Sequence, residues 1–142
     1  MFKRSSGEHN VHYFPKTAST AFEKGDLVYF SGGKLIPADN TSGDHAGVIM
    51  RAVTAADDDY AEASYVAVDV PRPDDIFEVD VPNGDLAAAD VGITCDLDAS
   101  DPSGIDPDAT SKNVVSIVEY VSASKARVKI NAIFGRLRVA TT

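Results

Sequence analysis

Hydrophobic and polar residues alternate with a period of two along several short stretches of this chain. In 76–81, Phe77, Val79 and Val81 fall on one side and Glu78 and Asp80 on the other. In 65–70, Val66, Val68 and Val70 alternate with Tyr65, Ala67 and Asp69. In 126–134, Val128, Ile130, Ala132 and Phe134 alternate with Arg127, Lys129 and Asn131. A strand sends successive side chains to opposite faces, so each stretch predicts a half-buried β-strand. The apolar runs 27–30 and 34–38 flank Ser31-Gly32-Gly33, which predicts a hairpin closed by a three-residue loop. Pro37 donates no backbone hydrogen bond, so it places the second strand at an edge or near its end. The run 46–53 predicts a further strand, and 91–97 a weaker one. The run 114–121 is apolar on both faces and predicts a central strand. Gly135 breaks the phase of the last stretch before Arg136-Leu137-Arg138-Val139, and only 85–90 could form a short helical turn.

Seven or eight short strands, with turn signals about every ten residues, predict an all-β fold. The expectation is a small single-domain β-barrel or sandwich, with an extended N-terminal arm at 1–20 and a β-rich domain at 21–142. The arm is read from the polar, aperiodic stretch 5–10, followed by Val11, Tyr13 and Phe14 ahead of Pro15. At 142 residues the chain suits one domain with its own core. No apolar run approaches the ~20 residues that span a bilayer, so no membrane partner is expected. The basic start, Met1 to Gly7, lacks the apolar stretch of a secretory signal.

Charge changes the picture. The chain carries a net charge of −9, but unevenly. Residues 39–108 hold 18 acidic side chains against Arg51 and Arg72 alone; the flanks hold 11 basic and 4 acidic ones. So acidic a centre repels a phosphate backbone, and no direct nucleic-acid partner is expected. The asymmetry predicts basic ends that face an acidic partner and an acidic face turned to solvent.

No arrangement of residues specifies an enzyme, and no cofactor is implied. A serine elbow is absent, and Ser31-Gly32-Gly33-Lys34 joins two strands where a phosphate loop needs a strand and a helix. Cys95 lies in an acidic stretch that opposes thiolate formation and reads as a small buried apolar residue. His9, His12 and His45 read as surface polar residues. The stretch 96–108 is rich enough in aspartate to pose a calcium loop. Asp101 stands where an EF-hand needs glycine and Pro107 where it needs glutamate, so a solvated turn is the simpler reading.

Three runs carry a resemblance: Phe22-Glu23-Lys24-Gly25-Asp26-Leu27-Val28-Tyr29-Phe30, Gly33-Lys34-Leu35-Ile36-Pro37-Ala38, and Ala46-Gly47-Val48-Ile49-Met50. In this order, over roughly residues 11–95, the chain resembles the capsid decoration proteins of tailed bacteriophages, also called cement or head auxiliary proteins. The resemblance implies a structural virion protein on the outer capsid surface, made in the host cytoplasm. It would bridge neighbouring subunits of the major capsid protein and stabilise the assembled shell, with homo-oligomers, trimers in particular, as the expected form. The capsid-binding groups expected on this reading are Val11, Tyr13 and Phe14 as arm anchors, Lys3, Arg4 and Lys16 as steering charges, and Arg127, Lys129, Arg136 and Arg138 as a second basic face. The alternatives are another virion subunit, such as a fibre or tail tube, and a calcium- or carbohydrate-binding β module resting on 96–108.

Overall fold

The residues that alternate in the sequence alternate in space. Phe77, Val79 and Val81 are buried, as are Ala126, Val128 and Ile130, while Glu78 and Asp80 stay at the surface with Arg127 and Lys129. A computed structural model describes residues 1–133, in which eleven strands form two antiparallel sheets. The strands are β1 (Phe2–Ser6), β2 (Val11–Pro15), β3 (Leu27–Ser31), β4 (Lys34–Pro37), β5 (His45–Ile49), β6 (Tyr65–Asp69), β7 (Ile76–Asp80), β8 (Thr94–Leu97), β9 (Ile105–Asp106), β10 (Val115–Ser122) and β11 (Lys125–Ile130). One sheet runs β1-β7-β11-β10-β8-β9, and the other β2-β6-β5-β3-β4. The second curls into a half-barrel. A short 3₁₀ turn lies at Ala88–Asp90. The all-β single domain expected from the pattern is therefore present.

Two cores lie on the two faces of the half-barrel. Between the sheets, Leu27 and Val48 pack with Phe2, Phe77, Val79, Leu97, Val115, Ile117 and Val128. Inside the half-barrel, Val28, Leu35, Ala46, Ile49, Val66 and Val68 pack with Phe22, Val53 and Val70. β5 serves both cores and is buried at all five positions. Gly47 is required there by close approach. A Cβ at this position would lie 2.5 Å from the Asp69 carbonyl oxygen and 2.9 Å from Val68 Cγ1, closer than van der Waals contact allows.

Several strands differ in detail from the pattern. The β3–β4 turn is Gly32-Gly33 alone, with Ser31 opposite Lys34. Both glycines have positive φ, +60° and +80°, as a two-residue primed turn demands. β10 is central, between β11 and β8. Only Val115 and Ile117 are buried in it, and Tyr120 and Val121 are exposed. The loop 98–110 contains the short β9, paired with β8 through Asp96–Asp106 and Leu97–Ile105.

The largest difference concerns residues 1–20, read as an arm. They supply an edge strand to each sheet. β1 pairs with β7, Phe2 opposite Val79 and Arg4 opposite Phe77. β2 pairs with β6, Val11 opposite Asp69 and Pro15 opposite Tyr65. Phe2 is buried between the sheets, and its N–H donates to the Gly25 carbonyl at 2.6 Å. The polar stretch 5–10 is the crossing from one sheet to the other.

Candidate interaction surface

The basic residues expected to steer the chain onto a partner divide sharply in the structure. Lys3 is exposed. Arg4 is not available: its side chain is 5% exposed, with Nε and Nη2 donating to the two Asp69 oxygens at 2.9 and 2.6 Å. Its Nη1 lies 2.9 Å from Asp75 Oδ2, and its guanidinium carbon lies 4.8 Å from the centroid of the Phe77 ring. Burial opposes the charge on Asp69, but Arg4, the Asn10 N–H and His9 outweigh it and hold the carboxyl below its usual range. The guanidinium of β1 thus ties the first sheet to β6 of the second.

Lys16 is likewise withdrawn, with 0% exposure. Its ammonium donates to the carbonyls of Asp59, Tyr60 and Glu62 at 2.7, 3.3 and 2.5 Å. Three carbonyls satisfy the three N–H donors of an ammonium, so the side chain clasps the turn 59–62. Neither residue can steer a partner, because both charges are engaged inside the fold.

Of the second basic face, Arg127 is paired with acidic neighbours. Arg127 Nη1 donates to Glu119 Oε2 at 2.9 Å, and Nε lies 3.6 Å from Glu78 Oε2. Lys125 Nζ lies 3.6 Å from Glu78 and 3.8 Å from Asp80. The register places Arg127 and Lys3 opposite Glu78, and Lys125 opposite Asp80. Directly opposed unlike charges attract across a sheet. Glu78, from the acidic centre of the chain, thereby lies between Lys3 and Arg127 from its two flanks. Lys129 stands opposite Ser116. Arg136 and Arg138 lie outside the described residues.

The apolar anchors fare differently. Val11 and Tyr13 are 41% and 64% exposed, and Tyr65 is 68% exposed. Tyr13 pairs with Ala67, and Pro15 with Tyr65. By alternation, Val11, Tyr13, Pro15 and Tyr65 therefore share one face of the β2–β6 pair. The opposite face carries Phe14, half-buried with its ring edge-on to Phe30 at 5.1 Å. His12 is stacked beside it at 6.2 Å. These two rings, with Asn10, Val70, Pro71, Arg72 and Pro73, line a largely apolar groove of about 450 Å³. Sequence reasoning missed the groove, which needs 10–14 beside 70–73.

The main chain of β2 is open on one side. Val70 N–H donates to the Asn10 carbonyl, and Lys16 N–H to the Ser64 carbonyl, both at 2.9 Å. The even-numbered residues of β2 thus point their backbone groups at β6. Odd-numbered ones point outward, and Thr17, in that phase, donates to the Leu35 carbonyl beside β4 at 3.0 Å. The half-barrel closes there. At Val11 and Tyr13 it gapes, and no strand among the described residues faces their N–H and C=O groups.

Other chemistry-bearing residues have local structural work. His45, read as a surface residue, is fully buried, because β5 is covered on both sides. Its Nε2 lies 3.0 Å from Ser42 Oγ. That hydroxyl donates to the Asp39 carbonyl at 2.8 Å, which makes the histidine nitrogen the donor to it. A serine nucleophile needs the reverse polarity. Cys95 is buried, and its thiol is pushed up to about 12 by burial and then by Asp96, Asp106 and Asp90.

Asp96 and Asp98 accept hydrogen bonds from backbone N–H groups of the loops beside them. Asp96 accepts from the N–H groups of Ser111, Lys112 and Asn113. Asp98 accepts from those of Ser100 and Asp101. Asp85, Asp106 and Asp108 bring carboxylate oxygens within 4.8 Å of one another at the surface. The carboxyl of Asp108 is raised by its hydrogen bond to Asp85 and by that neighbour's charge.

No protein-family model matches the chain, and no curated protein matches its sequence.

Proposed function

We propose that this chain is a structural component of a tailed-phage particle, which binds the outer surface of the assembled capsid and bridges neighbouring subunits of the major capsid protein. One observation carries the reading. The face of β2 and β6 presents Val11, Tyr13 and Tyr65 together at 41%, 64% and 68% exposure. Exposed apolar groups gathered on one patch mark contact surfaces, and tyrosine is enriched in such contacts. The three runs that resemble decoration proteins support the reading from the sequence side. They form the β3–β4 hairpin and β5, the scaffold on which β6 and then β2 are laid.

The physics of the role is mass action. A module that binds only the assembled shell stabilises it against disassembly in proportion to occupancy. Contact then rests on Val11, Tyr13 and Tyr65, with Lys3 and Lys129 as the accessible members, among the described residues, of the expected basic groups, and not on Arg4 or Lys16. Mass spectrometry of density-gradient-purified particles from the source culture tests the proposal. A ratio to the major shell protein near one, or near a simple fraction, is expected. Absence of the chain from the particles would overturn it.

A further inference from the structure

The contact surface just proposed has a second element beside its aromatic face. We infer that the outer edge of β2 receives an extended segment of a partner chain as an added antiparallel strand, and that this segment carries an apolar residue followed two positions later by an acidic one. The inference rests on the reading above and names the chemistry that its contact surface takes.

The backbone argument comes first. Val11 and Tyr13 each present an N–H and a C=O outward with no strand beside them among the described residues. The next outward residue, Pro15, lacks an N–H, and Thr17 is already joined to Leu35. The open edge is therefore short and bounded, which fits a brief segment and limits indefinite sheet growth. A strand laid antiparallel along it is hydrogen-bonded opposite Val11 and Tyr13. In such strand addition the main chain supplies affinity, and pockets for alternate side chains supply specificity.

Side-chain direction then sets the motif. Partner residues opposite Val11 and Tyr13 point to the face of Tyr13 and Tyr65. The residue between them, opposite His12, points to the other face, where His12, Phe14, Val70, Pro71 and Pro73 line the groove. That position takes an apolar side chain. Because the strands are antiparallel, the residue opposite Asn10 follows it by two positions and points the same way, toward Arg72. The Arg72 side chain is 49% exposed. It donates to the Glu8 carbonyl at 3.0 Å, and its nearest carboxylate, on Asp75, is 3.8 Å away and bound more closely by Arg4. A guanidinium so placed complements a carboxylate on the incoming strand.

A second copy of this chain does not satisfy the site. In a β2-to-β2 pair the groove-facing side chains offered are those of Asn10, His12 and Phe14, and Phe14 is the one large apolar group among them. Phe14 is half-buried against its own core and Phe30, so it cannot fill the groove of a neighbour while staying in place.

The test uses the full chain and two threonine-rich peptides, identical except that one carries Leu-Thr-Glu and the other Leu-Thr-Lys at its centre. Amide NMR should show the Leu-Thr-Glu peptide shifting Val11 and Tyr13, with the Leu-Thr-Lys peptide weaker. Tyr13→Pro removes an outward N–H and leaves the ladder to β6 intact, so it should weaken binding about tenfold. Arg72→Glu, at the exposed rim, should reverse the preference between the peptides and keeps the test open if the proline variant unfolds. Shifts confined to other residues, equal binding of both peptides, or a wild-type dimer that Tyr13→Pro dissociates would each overturn the inference. The shell reading fails separately: a chain absent from particles sinks that reading whatever the peptide does. A chain present on particles that ignores the peptide sinks only the added strand.

Discussion

β1 and β2 are each five residues long, lie within the first fifteen residues, and occupy an edge of their sheet. They nevertheless end in opposite conditions. In β1, Phe2 is buried between the sheets and Arg4 is clamped by Asp69 and Asp75. In β2, Val11 and Tyr13 are exposed, and no strand among the described residues faces their outward backbone groups. The difference lies in what each strand lands on. β1 lies over the seam between the sheets, where an apolar ring and two carboxylates await it. β2 extends the half-barrel past the part that the other sheet covers. An edge strand is thus a structural strap in one place and an exposed face, the proposed docking surface, in the other.

The comparison can be broken most forcefully at Arg4. Arg4→Ala leaves Asp69 and Asp75 buried without their cation and should destabilise the fold by about 3–5 kcal/mol, as removal of one partner of a buried pair does. Urea denaturation measures it; a loss under about 1 kcal/mol would place Arg4 among ordinary surface ion pairs. Next is Lys16, where the open strand is tied down at its far end. Lys16→Met keeps the stem and removes the donors to three carbonyls, and about 1–3 kcal/mol should be lost. Greater protease cleavage within 57–64 should accompany the change, and unchanged cleavage would show that the clasp does not hold the turn.

Asp26 sharpens the comparison through pH. It lies in the turn under the start of β1, where burial, helped by the charges of Glu23 and Asp101 and opposed by the N-terminal ammonium, raises its carboxyl to about 6. In the unfolded chain an aspartate ionises near ~3.9. A folded-state pKa above the unfolded one stabilises the fold while the group is protonated, and that stability is lost as pH rises through about 6. Asp26→Asn should therefore gain on the wild type from about pH 4 to about 6 and hold the gain above. Melting curves across that range check it, and a flat difference would mean that the carboxyl is not shifted. The smallest effect on stability is expected at the open edge. Val11→Thr with Tyr13→Ser should change unfolding free energy by no more than about 0.5 kcal/mol, yet abolish co-sedimentation with capsid shells. Retained co-sedimentation would remove β2 from the contact.

The parts legible in the sequence were those with local causes. The alternation at Phe77, Val79 and Val81 and the Gly32-Gly33 turn follow from pleat geometry and backbone freedom within a few residues. Gly47 was visible as part of an Ala-Gly-Val run, but its reason, the approach of Asp69 and Val68, lies about twenty residues away. The arm was misread because 5–10 has no period, and the partners of β1 and β2 are β7 and β6, more than fifty residues on. The steering role of Arg4 and Lys16 was misread for the same reason: a basic residue in a polar stretch gives no sign of the carboxylates or carbonyls that will bury it. Tyr13 and Val11 were singled out as anchors and are exposed, but the groove that accompanies them joins two distant segments.

By itself the sequence determined the all-β class, the main hairpin, the inward faces of β6, β7 and β11, and the burial of Cys95, because alternation and turn chemistry act between near neighbours. Only the tertiary structure decided that 1–20 supply two edge strands, that Arg4 and Arg127 from the flanks meet acids from the centre, that His45 is buried, and that one edge of β2 faces no strand among the described residues. Each of these depends on which distant strand lies alongside, and strand pairing is settled by the burial of whole faces, which no short stretch of sequence contains.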